Sequence, residues 1–238
     1  MESIKGKNIL IAGATGSIGA ALVKLLMDSG ANVFITGRNE KKIRQVAISN
    51  KISGEKIFAA DLSNEEQVKQ LKERYFMAMP GIDVLINASG IGIIKPVEQL
   101  TEDDFMQTIN TNLYASFLLV KTFLPPMKEM KKGLIINIPG VLGKVPMAGA
   151  AAYSASKYGL VGMMQSIREE LKRTEIRITN LFLGGVDSAF WDTIDLRVQR
   201  DKMIIAEEAA KAIWFLCQQP ASGVVSEMVL QPFNHQAI

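Results

Sequence analysis

The chain reads as an α/β protein built on a three-layer, doubly wound parallel sheet, and three observations lead there. Apolar runs of strand length alternate with segments of helical period from one end to the other. The strand runs are continuously apolar rather than alternating, as strands covered on both faces are. No repeat, low-complexity tract or Pro/Ser-rich linker interrupts the series, so residues 1–238 are expected to form a single domain.

The elements follow in order. Residues 7–12 (KNILIA) form the first strand, and 18–29 a helix with Leu22, Leu25 and Leu26 on one face. Residues 32–36 (NVFIT) form the second strand, followed by a charged helix that starts near Asn39. Strand three is 56–60, and 65–77 a helix with Ser63 as its N-cap. Residues 83–87 (DVLIN) form strand four. A long helical stretch over 105–130 is expected to bend or break at Pro125-Pro126, where proline removes a donor and crowds the preceding turn. Strand five is 134–138, a long helix covers 153–173, strand six is 177–183, a helix covers 207–218, and 227–230 is a last short strand.

Composition excludes several classes of function. Hydrophobic residues make up 48% and charged residues 21%, which excludes a disordered chain. Lys plus Arg is 27 against 24 Asp plus Glu, a net charge of +3 with no dense basic stripe, so no nucleic-acid partner is expected. The strongest apolar stretches, 113–120 and 147–152, are too short to span a membrane. Residues 1–7 carry charges and run straight into a strand, with no signal peptide, so a cytoplasmic location is expected. The one cysteine, Cys217, allows no internal disulfide and sits in an apolar helical pattern with Ile213, Trp214 and Leu216. The one histidine, His235, leaves no ligands for a multi-His metal site and no partner for a His-based triad. Chemistry must therefore rest on hydroxyls, lysine, carboxylates or a bound cofactor.

The first strand ends in Gly13-Ala14-Thr15-Gly16-Ser17-Ile18-Gly19, and a helix opens inside that string. Glycines there let the backbone turn tightly and approach a pyrophosphate, whose charge the helix N-terminus favours; the alternative is a plain tight turn between strand and helix. The position, after the first strand and opening the first helix, favours a dinucleotide site. After strand two the chain reads Thr36-Gly37-Arg38-Asn39, with no carboxylate until Glu40. An NAD site places an acid there for the ribose hydroxyls. Arg38 instead offers a guanidinium for a 2′-phosphate, with Thr36 and Asn39 as further hydrogen-bonding groups, so NADP(H) is expected over NAD(H). The alternative is that Arg38 merely solvates the start of the next helix.

Tyr153-Ser154-Ala155-Ser156-Lys157 places a phenol and an ammonium on one helix face. A lysine beside a tyrosine stabilises the phenolate and makes the phenol a usable acid/base. Together with the glycine string, this pair resembles the short-chain dehydrogenase/reductase family in its single-domain, Rossmann-like form, over essentially the whole chain. Asp61-Leu62 is similar to the pair that flanks the adenine ring, and Asn87-Ala88-Ser89-Gly90 to the turn after strand four. The resemblance implies that Asn112 holds a water in a proton relay. It also implies that Tyr153 is the acid/base and that Lys157 additionally binds the nicotinamide ribose. The segment from Val186 to Ser188, with Gly184 before it, resembles the one that contacts the nicotinamide carboxamide.

The family also carries a serine after strand five, thirteen positions before the tyrosine. That position is Gly140, and no Ser or Thr occurs between Gly133 and Ala152. Loss of such a donor to the substrate carbonyl typically costs on the order of 10²–10³ in kcat. A slower reaction, a donor on the substrate, a backbone N–H or a water all remain open, and restoring serine at position 140 is expected to raise turnover if the site is otherwise intact. The family's second glycine falls at Ser17, and the proline of its Pro-Gly pair after strand six is Leu183, followed by Gly184-Gly185, which is expected to loosen that loop.

Substrate is expected beneath a short lid in which Phe190 and Trp191 cover it, approached past Met147 and the small residues 148–152, with Gly140 at its edge. The apolar helices over 105–124 and 155–171 resemble those that build a four-helix interface in the family, which implies a homodimer or homotetramer, and Pro232, Phe233 and His235 are assigned to contacts with a neighbouring subunit. The reading is an NADP(H)-dependent oxidoreductase acting on a small-molecule carbonyl/alcohol pair. The alternatives are an NADP(H)-binding sensor or scaffold with little turnover, or a different chemistry on the same fold.

Overall fold

A computed structural model describes residues 1–234. In chain order the elements are β1 (Asn8–Ala12), α1 (Ser17–Asp28), β2 (Asn32–Gly37), α2 (Glu40–Ser49), β3 (Ile57–Ala59), α3 (Glu65–Ala78) and β4 (Val84–Asn87). There follow α4 (Glu102–Ile109), a π-helical turn (Asn110–Tyr114), α5 (Ala115–Glu129), β5 (Lys132–Asn137), α6 (Ala151–Glu170) and β6 (Glu175–Leu183). The two-residue strands β7 (Val186–Asp187) and β8 (Ile204–Ile205), α7 (Ala206–Leu216) and β9 (Glu227–Leu230) complete the order.

Seven strands form one sheet in the order β3-β2-β1-β4-β5-β6-β9, with every pair parallel. Side chains of β1, β2, β4 and β5 are buried on both faces, which is why those runs are continuously apolar. Ile9, Ile11, Ile35 and Ile86 pack with Leu22 and Leu26 of α1 and Ile213 and Leu216 of α7 on one side. Leu10, Phe34, Leu85 and Ile135 pack with Leu71 of α3, Phe123 of α5 and Leu160 of α6 on the other. The chain moves outward from β1 to β2 and β3, then returns to place β4 on the other flank of β1. That reversal opens a crevice above the C-terminal ends of β1 and β4, the position at which open α/β sheets bind ligands.

Three local expectations are corrected. The N-cap of α3 is Asn64, whose side chain accepts from the Gln67 amide at 3.1 Å, while Ser63 hydrogen-bonds Asp61. The long helical stretch starts earlier, at Glu102, because Thr101 and Asp104 form a capping box. Its irregularity falls at the π-helical turn and not at the prolines: α5 runs through Pro125 and Pro126 to Glu129.

Candidate active site

The glycine turn is held by close backbone approach. Gly13 has φ +83°, and a Cβ there would lie 2.7 Å from the Ala88 carbonyl and the Ser89 nitrogen, so the two crevice-lining turns touch backbone to backbone. A Cβ on Gly19 would lie 2.3 Å from the Gly13 oxygen. The Gly13 and Ala14 amides donate to the Thr36 carbonyl. Gly16 caps α1 without a side-chain hydrogen bond, and α1 carries no acid in its first turn. The amides of Ser17, Ile18 and Gly19 thus open on the crevice with the positive end of the helix dipole behind them, an arrangement that fits a pyrophosphate. Thr15 closes the turn on its other side, with its Oγ1 3.3 Å from where a Cβ of Gly37 would stand.

At the end of β2, Arg38 is exposed and makes no ion pair among the described residues. Of the two helpers assigned to it, Thr36 is corrected. Asn39 Oδ1 accepts from the Lys42 amide at 3.0 Å as the N-cap of α2, a bond that leaves the Nδ2 donor out. Thr36 is fully buried in the sheet, and it is the carbonyl that serves the turn. Asp61 is exposed after β3 and accepts from both the amide and the hydroxyl of Ser63, whereas Leu62 is buried in the core beside α3.

Beyond β4, Asn87 turns inward. Its Nδ2 donates to Ser116 at 2.7 Å and its Oδ1 accepts from the Ser89 hydroxyl at 2.6 Å, which fixes the turn of Ala88, Ser89 and Gly90. Asn112 is buried in the π-helical turn and is fully committed: Oδ1 accepts from the Ile91 amide, and Nδ2 donates to the Ile91 carbonyl and to Ser156. Its side chain positions the crevice wall against α6, and its carbonyl accepts from the Ser116 hydroxyl at 2.7 Å. Ser116 and Ser156 complete this network, and neither is a site residue in the sequence reading. A π-turn has no hydropathy signature, and such turns concentrate at functional sites.

On the first turns of α6, Lys157 is buried at 3% exposure and its Nζ donates to the Ile138 carbonyl at 3.3 Å. The ammonium lies 5.4 Å from the centroid of the Tyr153 ring. Gly90 admits this approach, since a Cβ there would stand 3.3 Å from Lys157 Nζ and 3.2 Å from Asn112 Oδ1. The expected lowering of the phenol is corrected for the free chain. Burial pushes the Tyr153 phenol above its ordinary value and draws the Lys157 ammonium down to about 8, because both groups lose water and the ammonium does not touch the hydroxyl.

Tyr153 opens on a cavity of about 800 Å³, which Gly140, Met147, Phe190 and Trp191 also line. Gly140 has φ +71° and ψ 169°, a conformation confined essentially to glycine. A Cβ there would be 4.0 Å from the Tyr153 hydroxyl, so the position faces that phenol, yet its backbone is shaped for glycine and not for serine. Phe190, on the cavity wall, meets Tyr153 edge-on at 5.8 Å and lies directly on Gly92, where a Cβ would be 2.2 Å from its Cζ. Trp191 donates to the Val186 carbonyl at 2.9 Å, and Ser188 to the same oxygen at 3.3 Å.

The expected looseness at Gly184-Gly185 is also corrected. Gly184 donates to the Leu230 carbonyl at 2.8 Å and packs on Pro232, and Gly185 accepts from the Ile204 amide at 3.0 Å. Those bonds tie the loop to β9 and β8 on either side. His235 lies outside the described residues. Among the described residues no cluster of His, Cys, Asp and Glu converges as a metal site, and no helix is long and apolar enough to cross a membrane.

Comparison with known proteins agrees with this geometry. The family model described as short chain dehydrogenase matches residues 7–198. An uncharacterised oxidoreductase of Staphylococcus aureus is 28% identical over 232 residues, covering 98% of this chain and 100% of the relative. Nodulation protein G of Rhizobium meliloti is 28% identical, with 96% of each chain covered. Among solved structures, a metagenomic short-chain oxidoreductase in complex with NADP matches with a TM-score of 0.83 at 31% identity, over 97% of this chain and 99% of that one. An alcohol dehydrogenase from the archaeon Thermococcus sibiricus, complexed with 5-hydroxy-NADP, shares the fold with a TM-score of 0.85 at 23% identity, over 98% and 100%.

Proposed function

The chain belongs to the short-chain dehydrogenase family, and from that premise we propose that it is an NADP(H)-dependent oxidoreductase that interconverts a carbonyl and an alcohol, with Tyr153 as the acid/base. One observation carries the reading. The glycine turn, with its free helix amides, and the Tyr153–Lys157 pair line the crevice region above β1 and β4, and Tyr153 opens on a cavity beside it.

When bound, NADP(H) supplies the hydride that reaches the carbonyl carbon. The amides of Ser17, Ile18 and Gly19 receive the pyrophosphate, with Thr15, Gly13 and Gly16 shaping the turn around it. Arg38 would meet the 2′-phosphate, and Asp61 would border the adenine, with Leu62 beneath it in the core. Ala88, Ser89 and Gly90 form the opposite wall over Asn87, and Gly184, Val186 and Ser188 bound the nicotinamide. Tyr153 gives its hydroxyl proton to the carbonyl oxygen as the hydride adds to carbon, and takes it back in the oxidation direction. Lys157 holds the ribose and, as a cation, eases the phenol toward ionisation once ligand brings the two groups together. Asn112 is a positioning residue that sets the wall against α6. With no hydroxyl at Gly140, the substrate oxygen has one donor fewer and turnover is correspondingly slow.

The exposed aromatic side chains Phe105, Tyr114 and Phe117 on α4, the π-turn and α5, with Tyr158 on α6, support a homodimer or homotetramer through those helices. A cytoplasmic enzyme fits this reading.

The cofactor assignment has a sharp test. Arg38→Asp removes the phosphate partner and supplies a carboxylate for ribose hydroxyls, so NADPH affinity is expected to fall by about 10-fold to 100-fold while NADH affinity rises. Fluorescence titration of native and variant protein with both nucleotides checks it. An unchanged NADPH dissociation constant removes Arg38 from the site. A second reading, a cofactor-binding sensor, is favoured by Gly140 alone, and it predicts tight NADPH binding without consumption by any carbonyl.

A further inference from the structure

The cavity beside Tyr153 is apolar over most of its wall, with Ile94, Val145 and Leu196 among its side chains, and among the described residues no acidic side chain lines it. Its two charged residues are Arg197 and Lys202, both on the segment between β7 and β8. A third cation of that segment, Arg200, is spent on structure. It pairs with Asp192 at 2.5 Å, lies 3.6 Å from Asp187, and donates to the Ser188 carbonyl at 2.8 Å. Arg200 thereby anchors the segment to the strap that carries Phe190 and Trp191. Arg197 and Lys202, on either side of the anchor, pair with no acid among the described residues. Asp195 and Asp201, their neighbours in sequence, do not line the cavity.

The Arg197 and Lys202 side chains are both exposed and stand where the cavity meets solvent, and among the described residues no acid on its wall offsets their charge. We infer that the substrate of this cavity is an apolar molecule that carries an anionic group, a carboxylate or a phosphate monoester, held by Arg197 and Lys202 while its carbonyl reaches Tyr153. The inference rests on the carbonyl/alcohol reading for the identity of the reacting group, but the charge selection stands on the cavity alone. The cavity of about 800 Å³ is shared, since Ile18, Gly184, Val186 and Ser188 on the cofactor side line part of it, and the substrate takes the part beside Tyr153, Leu196 and Arg197.

Binding to the NADP⁺-loaded protein tests charge selection without any need for turnover. Octanoate, octyl phosphate and the neutral octanamide are titrated while the emission of Trp191, on the cavity wall, is followed. The native protein is expected to bind at least one of the two anions about tenfold more tightly than the amide. In the Arg197→Ala/Lys202→Ala double variant that preference is expected to collapse to about twofold or less, with the NADPH dissociation constant unchanged. The tighter of the two anions identifies the group. Equal affinity for amide and anions in the native protein overturns the proposal, as does a preference that survives the double substitution. An equal loss of NADPH affinity also overturns it, by assigning both cations to the cofactor's phosphates. Failure of the carbonyl reading shows separately, as an absence of NADPH consumption with the anion preference intact.

Discussion

Tyr153→Phe is expected to lower kcat by about 10³-fold while NADPH affinity stays within about threefold. The substitution removes one oxygen, and that oxygen faces the cavity 4.0 Å from the space beside Gly140. No serine or threonine occurs between Gly133 and Ala152 to take over proton transfer, and Lys157 is turned toward the Ile138 carbonyl. The ring keeps its edge-on contact with Phe190, so packing is retained and the loss falls on chemistry. Steady-state kinetics with saturating NADPH, alongside a fluorescence titration of the cofactor, separates the two quantities. A variant that retains more than a tenth of native kcat places the proton donor elsewhere.

Gly140→Ser is expected to destabilise the protein by about 1–3 kcal/mol and to bring no gain in turnover. This reverses what the sequence alone implies, since a missing serine reads as a hydroxyl waiting to be restored. The reason is backbone conformation. With φ +71° and ψ 169°, residue 140 occupies a region that side chains other than hydrogen rarely enter. A Cβ would make only ordinary contact with the Leu183 carbonyl oxygen, at 3.4 Å, so the cost lies in the backbone and not in crowding. Gly140→Ala is the control: it carries the same strain without the hydroxyl, so both variants are expected to lose the same melting temperature, roughly 2–4 °C per kcal/mol. A serine variant as stable as the native protein and about tenfold faster would show that the loop relaxes into a serine-bearing form.

The parallel sheet, its two covering layers and the first strand-to-helix turn were legible because they rest on signals that a single chain carries, namely continuous apolar strands, helical periods between them and a glycine string at that turn. The spacing of Tyr153 and Lys157 marked the helix face that meets the crevice for the same reason. What escaped was decided by geometry across elements. Whether Asn64 or Ser63 caps α3 depends on which side chain reaches the Gln67 amide, and the sequence offers both. The capping box at Thr101 and Asp104 was readable, but the apolar period begins only at Phe105 and drew the boundary there. Nothing in hydropathy distinguishes the π-helical turn that buries Asn112. Phe190 resting on Gly92 joins residues far apart in sequence, and a lone glycine at 92 gives no sign of the ring it admits. The conformation of Gly140 was likewise invisible, and it changes how the missing serine is read.

Hydride transfer to a carbonyl leaves an isotopic mark that can be followed from cofactor to product. The native protein is incubated with NADPH deuterated at the transferable C4 position and with a panel of apolar aldehydes and ketones, anionic members included. The alcohol product is then analysed by mass spectrometry. One deuterium on the carbinol carbon, in step with NADPH consumed, is the predicted result. Tight NADPH binding with no labelled alcohol from any member of the panel would contradict it, and would leave a protein that holds the cofactor without using it.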